Sequence, residues 1–190
     1  MRLLLQRVTR AEVRVEGRVT GQIGHGLVVL VGVGRGDTRE LAVALARRTA
    51  ELRIFADDAG RTNRSLLDVG GGVLAVSQFT LYADTGRGRR PSFLHAAPPD
   101  LGARLYGAYA DALESLGVRV GRGVFGARMQ VELVNDGPFT IWLEADADAL
   151  HGPRPGAVAP DARGVPESAV DVPGPDAPRN QSLGDQTPGA

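Results

Sequence analysis

The spacing of apolar residues over the first 145 positions predicts several strands. Period-two alternation at residues 11–16 is typical of a half-buried strand. The run 26–32 is apolar between two glycines, which predicts a strand buried on both faces. Apolar or alternating segments of strand length occur at 3–5, 11–16, 19–23, 26–32, 73–76, 129–134 and 139–143.

Two segments have helical spacing instead. The first begins at Asp37-Thr38-Arg39-Glu40, which predicts Asp37 as the cap and Glu40 as its capping-box partner. The second begins at Pro98-Pro99-Asp100 and ends at Gly117. Several strands with two main helices predict an α/β domain with a mixed, curled β-sheet over residues 1–145.

Composition changes beyond this domain. Eight of the 12 prolines follow residue 150, among Gly, Ala and Asp, so we predict a disordered Pro/Gly/Ala/Asp-rich tail at 146–190. The domain has 19 arginines against 15 acidic residues, and the tail has three arginines against seven. The zero net charge therefore combines a mildly basic domain with an acidic tail. A basic domain whose cations are all arginine permits a nucleic-acid partner without requiring one.

Some classes of chemistry are disfavoured. The chain has no cysteine, which excludes disulfides, thiolate metal sites and cysteine nucleophiles. His25, His95 and His151 lack the spacing of a metal site, and we expect no metal. No apolar stretch approaches the roughly 20 residues of a membrane span, and the N-terminal apolar run is too short for a secretory signal. We therefore expect a cytoplasmic protein.

Three segments carry candidate chemistry. Asn135-Asp136-Gly137-Pro138 lies between two strand-like runs, where it is either a hairpin turn or a rigid device that presents backbone groups. Ser77 and Thr80 follow a strand without a nucleophile elbow or an evident histidine base, which favours hydrogen bonding over nucleophilic attack. A Gly-rich loop follows and is either a solvated basic loop or a phosphate-contacting one; its arginines are Arg87, Arg89 and Arg90.

Together these segments resemble the D-aminoacyl-tRNA deacylases, also called D-tyrosyl-tRNA deacylases. The resemblance extends over residues 1 to about 144 in matching order and spacing. Phe139 departs from it, because many members have a smaller branched residue there. The matching blocks are Gln6-Arg7-Val8, Gly70-Gly71-Gly72, Ser77-Gln78-Phe79-Thr80-Leu81, Arg90-Pro91-Ser92-Phe93, Met129 and Asn135-Asp136-Gly137-Pro138.

The resemblance implies a fold of β/β/α layers and a cytoplasmic homodimer without a cofactor. Its substrate would be D-aminoacyl-tRNA, or glycine mischarged on a tRNA such as tRNA-Ala. A cis Gly137-Pro138 motif would reach into the partner's pocket and reject L-amino acids.

The resemblance also assigns residues. The catalytic pocket would contain Ser77, Gln78, Phe79 and Thr80, with the ribose 2′-OH helping to activate water. Arg7, Met129 and Asn135 would be supporting residues, with Arg7 bracing the Gly-Pro turn and Met129 lining the pocket. Arg87, Arg89 and Arg90 would bind tRNA. Two rival hypotheses stay open: an esterase with a Thr80 or Ser77 nucleophile, and a non-catalytic RNA-binding module.

Overall fold

The sheet is organised around one long N-terminal strand. A computed structural model describes residues 1–86 and 88–146, so the predicted tail lies outside the described residues except for Asp146. The strands are β1 (Arg2–Val15), β2 (Arg18–Ile23), β3 (Gly26–Gly32), β4 (Phe55–Ala56), β5 (Thr62–Arg64), β6 (Gly72–Ser77), β7 (Arg119–Arg122) and β8 (Met129–Glu144). The helices are α1 (Arg39–Glu51) and α2 (Pro99–Ser115), with a 3-10 turn at Phe79–Tyr82.

Strand β1 pairs on both edges. Strand β8 runs antiparallel along one edge, and β3 and then β2 pair antiparallel on the other. Strand β6 lies parallel to β3, and β7 lies parallel to β6. The sheet curls until β2 approaches β7, where a Cβ at Gly21 would lie 2.6 Å from the backbone nitrogen of Arg122. These pairings confirm the predicted mixed, curled sheet with two helices.

Apolar residues fill both sides of this sheet. Alternate residues of β3 face opposite sides, so Val29 packs with the helices while Val28 packs inside the curl with Leu74. This confirms that β3 is buried on both faces. Full burial of side chains of this size contributes about 1.5–3 kcal/mol each.

The start of α1 differs from its prediction. Thr38, not Asp37, is the cap, and its Oγ1 accepts a 3.3 Å hydrogen bond from the Leu41 amide. Asp37 instead accepts 2.6 Å hydrogen bonds from the Gly34 amide and from the Met1 amine. Both residues suit a cap, but the Asp37 carboxylate is occupied by the Met1 amine, 36 positions away, and by the nearby Gly34 amide. Helix α2 begins at Pro99, and Gly117 follows it with a φ of +84°, as predicted.

The hairpin interpretation of the Gly-Pro segment is wrong. Both flanking runs belong to β8 and pair with β1, through Gln6 opposite Thr140 and Val8 opposite Asn135. The segment 136–139 is therefore a bulge opposite Arg7, and we call it the Gly-Pro bulge. The predicted runs 3–5 and 11–16 are likewise parts of one strand, β1. No helix among the described residues is long and apolar enough to cross a membrane.

Candidate active site

A cavity of about 700 Å³ opens where the parallel strands β3, β6 and β7 end. The carboxyl ends of parallel strands lie at one edge of a sheet, so the segments that follow them meet there. One wall is Ser77, Gln78 and Phe79, and another is Met129 with Val131 of β8. The cavity therefore brings together three of the four predicted catalytic residues and one predicted supporting residue.

The wall that follows β6 is held at several points. The Gln78 amide donates a 2.8 Å hydrogen bond to the Val31 carbonyl, which extends the β3–β6 pairing. Thr80 lies in the 3-10 turn just beyond the wall, and its hydroxyl accepts a hydrogen bond from the Gln78 side-chain amide. The Phe79 ring is 58% exposed and meets Phe93 edge-on at 4.9 Å between centroids.

The chemistry available at this wall is limited. Among the described residues that line the cavity, none is His, Cys, Asp or Glu, and Arg35 is the one ionisable group. Ser77 therefore has no general base among them. The first amides of a helical turn lack acceptors within it. None of the turn and loop backbone hydrogen bonds among the described residues is donated by Phe79 or Thr80, so these two amides can donate to an oxyanion.

Helix α2 bonds to the backbone of Ala75 and Gly123, which precede the lining residues Val76 and Phe125 in the chain, and we call this backbone the floor. The Tyr106 hydroxyl lies 2.8 Å from the Ala75 carbonyl and 3.3 Å from that of Gly123. Burial raises the pKa of Tyr106, which keeps it a neutral donor. A Cβ at Gly123 would lie 2.6 Å from the Met129 sulfur, so Met129 packs directly against this glycine.

Arg7, Asn135, Gly137 and Pro138 form a separate cluster at the Gly-Pro bulge. The Gly137–Pro138 peptide bond is cis. Asn135 closes the bulge, since its Oδ1 accepts from the Phe139 amide at 3.3 Å and its Nδ2 donates to Thr140 Oγ1 at 3.2 Å.

Arg7 packs against this bulge. Its NH1 donates a 2.6 Å hydrogen bond to the Ile54 carbonyl, and its guanidinium lies 4.8 Å from the Phe139 ring centroid. Its Nε lies 3.0 Å from Asp136 Oδ2, an ion pair without a well-directed hydrogen bond. Arg7 therefore holds the bulge from β1 through charge and packing.

The cavity and the bulge lie apart on one chain. Asn135 lies four positions beyond Val131, the last residue of β8 in the cavity lining, a span of about 13 Å for an extended strand. The described lining of the cavity includes neither Gly137 nor Pro138. A chain therefore does not insert its own bulge into its own cavity.

Two of the three predicted tRNA-binding arginines, Arg89 and Arg90, lie in the loop that precedes Phe93 of the cavity lining. Asp84 and Ser92 close this loop through backbone hydrogen bonds of 2.8 and 2.9 Å. Arg89 and Arg90 are exposed, and Arg87 lies outside the described residues. Sequence reasoning missed Arg35, Phe125 and Val131 of the lining, and Tyr106 behind it. For Arg35, the glycine-rich connection after β3 was a usable signal.

Comparison with known proteins agrees with this geometry. The family model described as D-Tyr-tRNA(Tyr) deacylase matches residues 4–144. A curated protein of Deinococcus deserti, named D-aminoacyl-tRNA deacylase, is 61% identical over 144 residues, which is 76% of this chain and 99% of that protein.

Two solved structures share the fold. A c-Myc DNA unwinding element binding protein superposes with a TM-score of 0.72 at 38% identity, over 77% of this chain and 100% of the other. A probable eukaryotic D-amino acid tRNA deacylase superposes with a TM-score of 0.68 at 20% identity, over 75% of this chain and 97% of the other, and shows the fold alone. On the family match and the identity to its relatives, the chain belongs to the D-Tyr-tRNA(Tyr) deacylase family.

Proposed function

We propose that this chain hydrolyses the ester that joins a D-amino acid to tRNA, which releases the free amino acid and the tRNA. The observation that carries this proposal is the placement of Ser77, Gln78 and Phe79 along the cavity, in a chain that matches the deacylase family over residues 4–144. A deacylase of aminoacyl-tRNA is an ester hydrolase. A cavity of about 700 Å³ is within the size range of small-molecule sites and suits an adenosine bearing an amino acid.

Catalysis uses the substrate rather than a side-chain nucleophile. The terminal ribose 2′-OH helps a water molecule attack the ester carbonyl carbon. The tetrahedral intermediate then expels the ribose 3′-oxygen, which takes up the proton. The amides of Phe79 and Thr80 stabilise the oxyanion, since fixed donors in a water-poor site stabilise developing charge strongly. The lack of acidic or histidine side chains in the described lining supports this route over a Ser77 or Thr80 nucleophile.

Selectivity for the D-enantiomer comes from a second copy of the chain. In a homodimer, Gly137 and Pro138 of one protomer form a backbone wall in the partner's cavity. An L-side chain strikes this wall, whereas a D-side chain or the hydrogen of glycine avoids it. Mischarged glycyl-tRNA is therefore a second substrate. The distance between bulge and cavity within one chain supports insertion into a partner.

Strand β8 supplies the surface for this dimer. It is an edge strand of 16 residues, and long unpaired edges are covered in most native proteins. Val131, Val134 and Trp142 on it are 36–45% exposed. A second copy that covers these side chains brings its bulge towards the cavity beside Val131.

The loop with Arg87, Arg89 and Arg90 binds phosphates of the tRNA. The reaction takes place in the cytoplasm. Arginine binds phosphate oxygens through paired N–H donors. Each phosphate contact on a single strand contributes a slope of about −0.7 to log K against log salt. The variant Arg89→Gln/Arg90→Gln should raise KM and flatten its salt dependence, whereas the control Arg47→Gln/Arg48→Gln, with two exposed arginines on α1, should not.

The deciding experiment compares D-Tyr-tRNA, L-Tyr-tRNA and Gly-tRNA as substrates of the full chain. We expect turnover of D-Tyr-tRNA and Gly-tRNA at enzyme concentrations well below that of substrate, with L-Tyr-tRNA left intact. Stoichiometric tRNA binding without release of D-tyrosine would instead support the RNA-binding module. Equal hydrolysis of both enantiomers would reject the chiral wall.

A further inference from the structure

The guanidinium of Arg2 joins three elements beside the cavity wall. It lies 4.4 Å from the Tyr82 ring centroid and 6.0 Å from that of Trp142. Its NH1 donates a 2.9 Å hydrogen bond to the Leu81 carbonyl, and its Nε donates a 2.7 Å hydrogen bond to Glu144 Oε1. One side chain at the start of β1 thus contacts the 3-10 turn and the end of β8.

The turn that Arg2 contacts carries the cavity wall. Within it, the described backbone bonds run from the Leu81 amide to Gln78 at 3.3 Å and from the Ala83 amide to Thr80 at 3.0 Å. Short 3-10 turns are weakly held by their own bonds, so outside contacts decide their position. The turn packs closely on β3, where a Cβ at Gly32 would lie 3.0 Å from Leu81 Cβ.

Tyr82 ties the same turn to the connection after β3. A Cβ at Gly34 would lie 2.6 Å from the Tyr82 hydroxyl, so this glycine lets the ring approach the backbone. The Tyr82 hydroxyl lies 3.5 Å from Asp37 Oδ2, and Asp37 also accepts the 2.6 Å hydrogen bond of the Gly34 amide. Arg2 stacks on the ring that makes these contacts.

We infer that Arg2 is a positioning residue for the deacylation reaction. It fixes the 3-10 turn through Leu81 and Tyr82, and so sets where the amides of Phe79 and Thr80 point. Arg2 is absent from the described lining of the cavity, so it acts through the turn. This inference rests on the proposed function for its kinetic consequence, and its structural part is measurable separately.

The kinetic test uses the full chain with D-Tyr-tRNA. Arg2→Met should lower kcat by roughly tenfold to a hundredfold while KM stays within about twofold, because misplaced donors weaken the transition state more than substrate binding. Arg2→Lys keeps the positive charge but not the forked donors, and should give an intermediate kcat. Arg10→Met is the matched control, since Arg10 forms a 3.8 Å ion pair with Glu132 in which both side chains are 68% exposed. The control should keep wild-type kcat.

Hydrogen exchange gives a second readout that needs no activity. Arg2→Met should speed exchange of the Leu81 and Ala83 amides by roughly tenfold and leave those of β3 unchanged. An unchanged kcat, an equal loss in Arg10→Met, or unchanged exchange would each overturn the inference. If the wild-type chain releases no D-tyrosine, the proposed function fails and exchange alone decides the role of Arg2. If Arg2→Met does not fold, Arg2→Lys decides it by the same two measurements, and wild-type values would overturn it.

Discussion

The side-chain amide of Gln78 donates a hydrogen bond to the hydroxyl of Thr80, two residues further along the 3-10 turn. As the acceptor of this bond, the hydroxyl stabilises the turn that carries the amides of Phe79 and Thr80. The same oxygen is the one that a nucleophilic mechanism would use. The two roles differ greatly in what its removal costs.

We predict that Thr80→Ala lowers kcat for D-Tyr-tRNA by less than about tenfold, because one side-chain hydrogen bond of the turn is lost. Loss of a true nucleophile would cost orders of magnitude more, up to about a millionfold. Single-turnover kinetics measures the difference, and Ser77→Ala examines the other hydroxyl in the same assay. Abolished turnover in a folded variant would establish the nucleophilic esterase.

The two buried tyrosines of α2 provide a matched pair. Tyr106 donates to the Ala75 carbonyl at 2.8 Å behind the cavity, and Tyr109 donates to Thr49 Oγ1 at 3.0 Å between the helices. Tyr109→Phe leaves Thr49 Oγ1 without this donor, whereas in Tyr106→Phe the Ala75 carbonyl keeps the 2.9 Å hydrogen bond from the Gly123 amide. We therefore expect Tyr109→Phe to lose about 1–3 kcal/mol of unfolding free energy and Tyr106→Phe about 1 kcal/mol.

The KM for D-Tyr-tRNA should differ between these two variants. Tyr106→Phe loosens the β6–β7 floor and should raise KM for D-Tyr-tRNA, whereas Tyr109→Phe should leave it unchanged. Urea denaturation and steady-state kinetics on both variants provide the measurement. An unchanged KM in Tyr106→Phe would show that the hydrogen bonds of Tyr106 to Ala75 and Gly123 do not shape the site.

Local sequence patterns were enough to predict elements that have a continuous apolar run or clear start and stop signals. Strand β3 is apolar throughout, and α2 has a proline start and a glycine end, so both could be predicted. Strand β7 could not, because Arg119–Arg122 contains a single aliphatic side chain, and β6 is its one paired strand in the described part of the chain. Strands β4 and β5 also could not be predicted, because they have two and three residues, too few to show an apolar pattern.

The parts of the site that depend on pairing between residues far apart in sequence were harder to predict. The Gly-Pro bulge and Arg7 are about 130 positions apart in sequence, and the β1–β8 register alone sets them opposite each other. The resemblance to the deacylases connected Arg7 with the Gly-Pro segment, whereas residue spacing alone was also compatible with a hairpin turn. Asp37 was misassigned for the same reason in part, because the Met1 amine that its carboxylate binds is 36 positions away, although the Gly34 amide is local.

Acid should weaken the fold through carboxylates that accept hydrogen bonds. Asp68 accepts 2.8 Å bonds from the amide and the hydroxyl of Ser65, and these lower its pKa. A lowered folded pKa stabilises the protein above the unfolded value of about 4, and this contribution is lost as pH falls through the folded pKa. We predict that Asp68→Asn has a shallower loss of Tm below about pH 4 than wild type. A parallel decline in both proteins would contradict this role for Asp68.

Gly137 connects the geometry of the bulge to chirality. Its φ is +122°, and a Cβ there would lie 3.0 Å from the Phe139 amide nitrogen and 3.2 Å from Arg7 NH2. Gly137→Ala should therefore cost about 1–3 kcal/mol and displace the bulge. We expect the ratio of kcat/KM for D-Tyr-tRNA over L-Tyr-tRNA to fall.

Two variants complete this test. Gly17→Ala is the control, since Gly17 has a φ of +79° with open space around it, and it should lose stability without losing selectivity. Asp136→Asn is a milder change that removes the charge 3.0 Å from Arg7 Nε, and it should lower the same ratio with less loss of Tm. If Gly137→Ala and Asp136→Asn both keep the wild-type ratio, the bulge shapes the strand alone and the chiral wall lies elsewhere.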